Sequence, residues 1–283
     1  MQIKTVGVIG CGQMGGGIAQ VSAQSGYSVV VTEVSEALLN KGLGAMKAFL
    51  DKSVEKGRMT REDRDATVAR IKGTTSMNDF NACDLVIEAV VENLDVKKKI
   101  FADLDKITPA HAILASNTSC LSIIDMARVT GRLDKVLGIH FFNPPALMKL
   151  MEVVRTIATS DETLEAGRAF GKSVGKTVVI AKDSPGFIVN RLMVPQLLHA
   201  IRMYESGYAT KEDIDTGMNL GLNHPMGPLA LSDLIGLDTL HFIAQAMYDE
   251  FKDPQYVSPI LLAKMVAVGW LGRKTGKGFY EYK

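Results

Sequence analysis

The stretch of sequence that decides the fold is KTVGVIGCGQMG, residues 4–15. Residues 4–9 are rich in apolar and β-branched side chains, which predicts a buried strand, and the pattern of residues 13–25 predicts a helix. The turn between them carries glycines in the spacing GxGxxG, and a second, valine-rich strand is predicted at residues 27–32. A strand, a glycine turn, a helix and another strand form the first unit of a parallel, doubly wound sheet.

The glycine turn also has the composition of an anion-binding site. Gly10 permits a tight turn, Gly12 lets the backbone approach a pyrophosphate, and Gly15 lets the helix pack closely against the strand. Gln13 and Met14 lie at the N-terminus of the predicted helix, where backbone N–H groups have no helical acceptor and carry partial positive charge. These five residues are therefore predicted to bind the pyrophosphate of a dinucleotide.

An acidic residue follows the second predicted strand. Glu33 lies where a carboxylate accepts hydrogen bonds from the hydroxyl groups of an adenosine ribose. The same carboxylate would repel a 2′-phosphate, and no arginine follows it before Arg58. These two observations predict NAD, rather than NADP, as the cofactor.

The alternation of strand and helix continues to residue 183. Further strands are predicted at residues 85–90, 113–115, 136–142 and 177–181, and helices at 96–106 and 164–173. Residues 35–72 interrupt this order with two helical patterns, and Thr60 with Asp63 three residues later predicts an N-terminal cap for the second. We therefore predict an α/β, Rossmann-like, doubly wound and mostly parallel sheet in residues 1–183, with a helical hairpin inserted at 35–72.

The character of the sequence changes after residue 183. No strand pattern follows, and helices are predicted at residues 187–206, 211–220, 229–234, 238–251 and 259–268. Pro195 lies inside the first of these helices and is expected to kink or split it, and Thr210 with Asp213 predicts a cap for the second. Residues 184–283 are therefore predicted to form an all-helical C-terminal domain.

The composition excludes several classes of function. Lys and Arg number 32 against 31 Asp and Glu, so the net charge of +1 indicates neither a nucleic-acid nor a membrane partner. No apolar run is long enough to span a bilayer, and the first strand is predicted to begin too early for a targeting peptide to precede it. Cys11, Cys83 and Cys120 are odd in number and far apart, which is typical of buried, reduced thiols in the cytoplasm.

One histidine and one carboxylate stand out in GIHFFNPPALMKLMEVV, residues 138–154. His140 ends an apolar run, and Glu152 lies inside another, where burial of its charge is costly unless a partner compensates it. A histidine oriented by a buried carboxylate is a general base with a defined tautomer. From these residues alone, a structural His–Glu hydrogen bond and a catalytic pair are about equally supported.

Two further polar residues are candidates for substrate contacts. Ser119 ends ASNTS, residues 115–119, directly after a predicted strand, and His140 lies at the end of another. Both are therefore expected at the carboxyl edge of the sheet, where ligands bind. Asn190, on the first helix of the second domain, either satisfies a neighbouring backbone group or points toward a substrate cleft.

Several motifs give the chain a resemblance to a known family. They are the GxGxxG turn, VEN at 91–93, ASNTS at 115–119, HFFNP at 140–144, MEVV at 151–154, PGFIVNR at 185–191 and GRKTGKGFYEY at 272–282. In this order and at these spacings they resemble the 3-hydroxyacyl-CoA dehydrogenase family over nearly the whole chain, and in particular its free-standing bacterial members that act on 3-hydroxybutyryl-CoA. The resemblance implies an NAD(H)-dependent oxidoreductase that interconverts 3-hydroxyacyl-CoA and 3-ketoacyl-CoA, such as acetoacetyl-CoA, in fatty acid and butyrate metabolism.

The resemblance also implies roles for individual residues. His140 would take the proton of the 3-hydroxyl group, and Glu152 would orient it. Ser119 and Asn190 would hold the oxygen at C3 or the thioester carbonyl. The residues that the family pattern places around the cofactor are Glu92, Lys97, Asn143 and Lys274.

Coenzyme A carries phosphate groups, which require basic side chains. Lys52 and Lys56 are four residues apart on the predicted hairpin and therefore share one helix face. Taken alone they fit a solvated surface, since Asp51 and Glu55 are interleaved with them. Family members contact coenzyme A with this hairpin, so by resemblance Lys52 and Lys56 are predicted to bind the substrate.

Two other functions fit part of this pattern. A β-hydroxyacid dehydrogenase that acts on a free acid relies on a lysine on the helix that enters its second domain. That helix here carries Asn190 and Arg191 and no lysine before Lys211. A crystallin-like structural relative would share the fold, but the complete set of four candidate catalytic residues favours an enzyme.

The remaining histidines indicate no metal. His111, His199, His224 and His241 have no acidic or cysteine partner at metal-ligand spacing, so no metal site is predicted. The apolar helices of the second domain predict a homodimer through that domain, as in family members. The expected partners are therefore an acyl-CoA substrate and a second copy of the chain.

Overall fold

The computed structural model describes residues 2–282, and the chain divides after Asp183 into two compact units. These residues form eight strands and eleven α-helices. The strands are β1 (Thr5–Ile9), β2 (Ser28–Thr32), β3 (Ile71–Thr74), β4 (Leu85–Glu88), β5 (Ile113–Ser116), β6 (Val136–Phe141), β7 (Leu150–Arg155) and β8 (Thr177–Lys182). The helices of the first unit are α1 (Gln13–Gln24), α2 (Glu36–Glu55), α3 (Arg61–Ala69), α4 (Leu94–Ile107), α5 (Ile123–Ala127) and α6 (Asp161–Ser173).

The strands form one sheet in the order β3-β2-β1-β4-β5-β6-β7-β8. Strand β7 pairs antiparallel with β6, and the other neighbouring pairs in residues 2–282 are parallel. The predicted Rossmann-like, mostly parallel sheet is thus confirmed. Strand order reverses at β1, which lies between β2 and β4, and ligands bind at the carboxyl edge beside such a switch point.

The central strands are buried, which fixes where their ends lie. Val6, Val8, Ile87 and Leu114 are fully buried, as expected for parallel strands that read as continuous apolar runs. Because a slip of one residue would turn these side chains to the wrong face, burial also fixes the register of each strand. The polar residues that end these strands are therefore held in defined positions.

The predicted hairpin forms the crossover from β2 to β3. Thr60 Oγ1 accepts a hydrogen bond from the Asp63 N–H at 3.0 Å, which confirms the predicted cap of α3. Helix α2 buries Leu39, Met46 and Leu50. Its opposite face is left to solvent, as in an amphipathic surface helix.

Two strands and one helix are absent from the sequence predictions. Strand β3 is a half-buried edge strand that contains Lys72 and Gly73, so it lacks a clear apolar alternation. Strand β7 contains Glu152, and it was not predicted because a buried charge is atypical of the centre of a strand. Helix α5 has only five residues, too few to show helical periodicity.

The second unit consists of helices α7 (Val189–Glu205), α8 (Lys211–Gly221), α9 (Pro228–Ile235), α10 (Leu237–Phe251) and α11 (Ile260–Ala267). Short 3₁₀ turns lie at Met77–Phe80 and Leu133–Lys135 in the first unit and at Pro254–Tyr256 and Arg273–Thr275 in the second. The all-helical prediction is confirmed, and the Asp213 N–H donates to Thr210 Oγ1 at 3.1 Å in the predicted cap of α8.

Pro195 does not split α7, contrary to one of the two predicted outcomes. The helix runs unbroken from Val189 to Glu205. A proline there removes one hydrogen bond to the preceding turn, but burial of Val194, Leu197 and Leu198 on the same helix outweighs that loss.

The C-terminal segment of the second unit is tied down by a buried carboxylate. Asp233 accepts hydrogen bonds from the N–H groups of Phe279 and Tyr280 and from the hydroxyl of Tyr282, each at 2.9 Å. Burial, together with this bond to Asp233, raises the pKa of Tyr282 to about 12. Among residues 2–282, no helix has the length and apolar character needed to cross a bilayer.

Candidate active site

The glycine turn lies at the carboxyl end of β1. Gly10 has a φ of +95°, and a side chain there would meet the Ala89 carbonyl oxygen at 2.7 Å, so glycine is required. A side chain at Gly15 would overlap the Gly10 carbonyl oxygen, whereas one at Gly12 would meet nothing within 4 Å. The turn is therefore closed toward the protein and open at Gly12, which fits the close approach of a pyrophosphate.

Glu33 is held beside this turn by backbone donors. Its Oε1 accepts from the Cys11 N–H at 2.9 Å and its Oε2 from the Val34 N–H at 3.1 Å. A carboxylate has about four acceptor sites, so Glu33 retains capacity for ribose hydroxyl groups. Glu33, the glycine turn and helix α2 line a cavity of about 610 Å³. That volume is in the range of small-molecule sites, so these residues fit the adenosine end of NAD.

His140 and Glu152 face each other across β6 and β7. They are direct register partners in the antiparallel pair, which puts their side chains on one face of the sheet. Glu152 is fully buried, and its Oε2 lies 2.6 Å from His140 Nδ1. Because an ionised carboxylate only accepts hydrogen bonds, we assign the ring proton to Nδ1. His140 Nε2 is then the basic nitrogen.

The basic nitrogen of His140 faces a hydroxyl group. Ser119 Oγ lies 3.2 Å from His140 Nε2. The loop that carries Ser119 is fixed against β6, because Asn117 Oδ1 accepts a hydrogen bond from the Phe141 N–H at 2.9 Å. Ser119 and His140 therefore meet at the carboxyl edge of the sheet.

Glu92 and Lys97, which the family pattern places near the cofactor, belong to a charged cluster beneath this loop. Glu92 Oε1 accepts from the Ser119 N–H at 2.8 Å and from Thr118 Oγ1 at 2.6 Å. Lys97 Nζ lies 3.1 Å from Glu92 Oε2 and 2.6 Å from Glu88 Oε1. The Lys97 side chain is only 1% exposed, against 27% for Glu92. Of these two side chains, only Glu92 is exposed enough to contact a ligand.

Sequence reasoning missed Glu88, Ser116 and Thr118. Glu88 is fully buried at the end of β4, and its Oε2 accepts from Ser116 Oγ at 2.7 Å. A signal for Glu88 exists in the sequence, since it ends an apolar strand just as Glu152 lies within one. The same cost of burying an unpaired charge applies to both residues.

Asn143 lies on the exposed loop between β6 and β7, where its peptide bond to Pro144 is cis. Lys176 ties this loop down, because its Nζ donates to the carbonyl oxygens of Pro145 at 2.5 Å and Met148 at 2.8 Å. Burial lowers the pKa of Lys176 from its ordinary value. The loop is thus anchored to the residue that precedes β8.

The other predicted site residues lie on helices, at the end of a helix or in a short 3₁₀ turn. Lys52 belongs to α2 and Lys56 caps its C-terminus, and both are exposed. Asn190 is 7% exposed on α7, and Lys274 donates to Asp238 Oδ2 at 2.6 Å; both belong to the second unit. The structure therefore brings together His140, Glu152, Ser119, Glu92 and Lys97, and it describes Asn190 and Lys274 within the other unit.

The cysteines have the character that the sequence predicts. Cys11, Cys83 and Cys120 are buried and free. Burial raises the pKa of the Cys11 thiol to about 11, with Glu33 adding to the effect, and raises that of Cys120 to about 12. Such thiols are poor nucleophiles. Within residues 2–282, no group of three or more His, Cys, Asp or Glu side chains is arranged to hold a metal ion.

The fold and this geometry define a class of protein. A dinucleotide-binding turn with an acidic residue beside it, and a histidine–carboxylate pair at the same edge of the sheet, are the parts of a nicotinamide-dependent dehydrogenase. Comparison with known proteins narrows the class. Residues 5–184 match the family model of the 3-hydroxyacyl-CoA dehydrogenase NAD binding domain, and residues 186–282 match that of the C-terminal domain. The chain belongs to the 3-hydroxyacyl-CoA dehydrogenase family.

Similar proteins match this chain over nearly their whole length. The 3-hydroxybutyryl-CoA dehydrogenase of Mycobacterium tuberculosis is 49% identical over 282 residues, which cover 99% of each chain. The mitochondrial hydroxyacyl-coenzyme A dehydrogenase of Sus scrofa is 46% identical and covers 99% of this chain and 92% of its own. The solved (S)-3-hydroxybutyryl-CoA dehydrogenase from Ralstonia eutropha is 47% identical, with a TM-score of 0.96 and full coverage of both chains.

These comparisons confirm three predictions from the sequence. The family resemblance is correct, including its likeness to bacterial 3-hydroxybutyryl-CoA dehydrogenases. The chain is an oxidoreductase, and NAD is its cofactor. The roles of individual residues remain predictions.

Proposed function

We propose that the chain interconverts 3-hydroxyacyl-CoA, such as 3-hydroxybutyryl-CoA, and 3-ketoacyl-CoA, such as acetoacetyl-CoA, with NAD(H), using His140 and Glu152 as an acid/base pair. The observation that carries the proposal is the geometry at His140, with Nδ1 2.6 Å from Glu152 and Nε2 3.2 Å from Ser119. Relatives named 3-hydroxybutyryl-CoA dehydrogenase, 45% and 49% identical to this chain, support the substrate.

His140 moves the proton. In the oxidative direction its Nε2 accepts the proton of the 3-hydroxyl group, and in the reductive direction it returns a proton to the ketone oxygen. NAD, when bound, would supply the acceptor for the hydride that leaves C3. A positioned base of this kind contributes about 10²–10⁴-fold in rate.

Glu152 compensates the charge that His140 gains. The carboxylate is fully buried, so water screens its attraction to the imidazolium only weakly. By accepting a hydrogen bond from Nδ1–H, it also keeps Nε2 as the nitrogen that exchanges a proton with the substrate. Glu152 therefore both orients His140 and compensates the positive charge that the ring gains with the proton.

Ser119 and Asn190 bind substrate oxygens. The Ser119 hydroxyl lies next to the nitrogen that takes the proton, so it is positioned to hold the oxygen at C3 or the thioester carbonyl. Asn190 is a nearly buried amide on α7 and supplies a second donor of this kind.

The cofactor is held by the carboxyl edge of the first unit. Gly10, Gly12 and Gly15, with the N–H groups of Gln13 and Met14, bind the pyrophosphate, and Glu33 binds the adenosine ribose. Glu92 and Asn143 contact the nicotinamide end, and Lys97 acts there through Glu92, since its own ammonium is buried. Lys274 is a further cofactor contact from the second unit. The carboxylate of Glu33 disfavours a 2′-phosphate, which is the basis of the NAD preference.

Lys52 and Lys56 bind the phosphates of coenzyme A. The Lys52→Ala/Lys56→Ala variant should raise KM for acetoacetyl-CoA roughly tenfold, since each charge-assisted contact to phosphate is worth ~1.5–3 kcal/mol before screening by solvent. It should leave KM for a truncated acetoacetyl thioester unchanged. Lys99→Ala/Lys106→Ala removes the same charge from α4 and is the control. An equal effect on both thioesters, or an equal effect of the control, would contradict the phosphate contact.

One absorbance assay at the NADH band tests the proposed reaction. The protein should oxidise NADH with acetoacetyl-CoA, and turn over free acetoacetate at least ~10²-fold more slowly, because remote binding energy is lost with coenzyme A. Preference for the free acid would instead indicate a β-hydroxyacid dehydrogenase. No turnover of either compound would indicate a crystallin-like structural relative.

We also propose a homodimer through the second unit, a cytoplasmic location and a role in fatty acid and butyrate metabolism. Leu192 and Leu220 support the dimer, because they are 73% and 83% exposed on the second unit. The free cysteines agree with a reducing compartment. Sedimentation of the protein at the mass of one chain would contradict the dimer.

A further inference from the structure

A fully buried carboxylate at the centre of the sheet has no part in the reaction described so far. Glu88 ends β4, and its register partner on β5 is Ser116. No catalytic role and no substrate contact is assigned to it. Its carboxylate accepts hydrogen bonds from the Val90 N–H, from Lys97 and from Ser116, and the last two connect it to the loop that carries Ser119.

The first arm of this arrangement runs through Lys97 and Glu92. Glu88 Oε1 lies 2.6 Å from Lys97 Nζ, which lies 3.1 Å from Glu92 Oε2. The other oxygen of Glu92 accepts the Ser119 N–H at 2.8 Å. Lys97 Nζ also lies 3.4 Å from the Val90 carbonyl oxygen, so each of its three protons has an acceptor and its position is fixed.

The second arm runs through Ser116. Its hydroxyl donates to Glu88 Oε2 at 2.7 Å and accepts from the Thr118 N–H at 3.2 Å. Glu88 is therefore connected to residues 116–119 at both ends, directly at Ser116 and through Lys97 and Glu92 at Ser119. In a buried site of low dielectric, such charged contacts are strong and directional.

Charge balance explains why the carboxylate form of Glu88 matters. Two carboxylates, Glu88 and Glu92, share the single buried ammonium of Lys97. If Glu88 is made neutral, Lys97 is left with Glu92 as its one anionic partner. The Glu92 carboxylate is then drawn toward Lys97 and away from the Ser119 N–H.

We propose that Glu88 is a positioning residue that, through Lys97–Glu92 and through Ser116, sets the place of the Ser119 hydroxyl beside His140. This inference rests on the proposed role of Ser119. A misplacement of about 1 Å at a reacting group can cost ~10²-fold in rate, so an effect of roughly tenfold is expected from Glu88.

The test is a double-mutant cycle of Glu88→Gln with Ser119→Ala. Glu88→Gln should lower kcat with acetoacetyl-CoA about tenfold and leave KM for that substrate unchanged, since the hairpin lysines are intact. In the Ser119→Ala background, Glu88→Gln should change kcat by less than about twofold, because the group it positions is gone. Thr159→Val is the control, as it disrupts a buried hydroxyl bonded to the Val136 carbonyl at the opposite end of β6. It should lower the melting temperature without lowering kcat.

The outcomes separate this inference from the proposed function. If Ser119→Ala alone keeps the kcat of the unmodified protein, the role of Ser119 fails and the inference fails with it. If Ser119→Ala is slow but Glu88→Gln costs the same factor in both backgrounds, only the inference is overturned. Where Glu88→Gln does not fold, Ser116→Ala, which cuts one arm alone, replaces it in the same cycle. Additivity there would likewise overturn the inference.

Discussion

Two histidine–carboxylate pairs lie at opposite edges of the sheet. His140 and Glu152 join β6 to β7 near the carboxyl end of β6, with side chains 6% and 0% exposed and a separation of 2.6 Å. His111 and Asp84 precede β5 and β4 at the amino edge, with side chains 53% and 18% exposed and a separation of 3.0 Å. The functional groups are the same, so the difference in role must come from the surroundings.

The two pairs differ in the groups that their remaining polar atoms contact. Asp84 Oδ2 accepts hydrogen bonds from the N–H groups of Lys4 and Thr5 at 2.8 and 3.0 Å, so this carboxylate anchors the start of β1. Glu152 instead orients a ring whose second nitrogen faces Ser119 at the edge where ligands bind. A histidine–carboxylate pair is therefore a candidate catalyst only when its second nitrogen faces a ligand site.

The largest expected effect separates the two histidines. His140→Asn should lower kcat with acetoacetyl-CoA by about 10²–10⁴-fold, because the proton acceptor is lost, while NADH binding measured by fluorescence persists. His111→Asn is the matched change at the other pair and should leave kcat within about twofold. Near-normal turnover of a folded His140→Asn protein would remove His140 from the mechanism. Equal losses in both variants would erase the distinction between the pairs.

Neutralising the carboxylate of each pair should have different effects, on activity for Glu152 and on stability for Asp84. Glu152→Gln should reduce kcat by about the same 10²–10⁴-fold and change its pH dependence, because the charge that favours the imidazolium is gone. Asp84→Asn should keep kcat but lower the free energy of unfolding by about 1–2 kcal/mol, through loss of charge-assisted hydrogen bonds. Urea unfolding and steady-state kinetics on both variants measure this. An unchanged pH–rate profile for Glu152→Gln would assign Glu152 a structural role only.

The smallest expected effect is the acid dependence of the surface pair. Burial acts to raise the pKa of Asp84, but hydrogen bonds from the Thr5 N–H, His111 and the Lys4 N–H outweigh it and hold the pKa below its ordinary value of 3.8. The folded-state pKa thus lies below the unfolded one, so Asp84 contributes stability above the unfolded value and loses it as the pH falls through the folded one. The stability difference between the unmodified protein and Asp84→Asn should be constant near neutral pH and shrink below about pH 4. A difference that grows on acidification would contradict the anchoring role.

The first strand–helix–strand unit was predictable because its signals are local. The predicted strand at residues 4–9 and the helix at 13–25 differ from β1 (Thr5–Ile9) and α1 (Gln13–Gln24) by one residue each. The glycine spacing and the valine runs each extend over only a few residues, so they can be recognised in a single sequence. The antiparallel direction of β7 depends instead on its pairing with β6, which no local pattern reveals.

In the candidate active site, too, local features were predictable and contacts between distant residues were not. His140, Glu152 and Ser119 are recognisable as polar residues next to apolar runs, and their family motifs reinforce the choice. That Glu152 lies directly opposite His140 follows from the register of β6 and β7 and could not be predicted from spacing. Glu88 was missed because its partners, Lys97 and Ser116, lie 9 and 28 residues away and meet it only in the folded sheet.

The antiparallel pairing of β6 and β7 has a consequence for behaviour on warming. His140 and Glu152 are held together by the ladder itself, on two strands that each have a neighbouring strand on both sides, and not by the exposed loop that joins them. Exposed loops open at a small cost in free energy, whereas buried strands paired on both sides open only with the whole domain. The loop around Asn143 is therefore expected to open on heating before His140 and Glu152 separate, and these two side chains part only when the sheet melts.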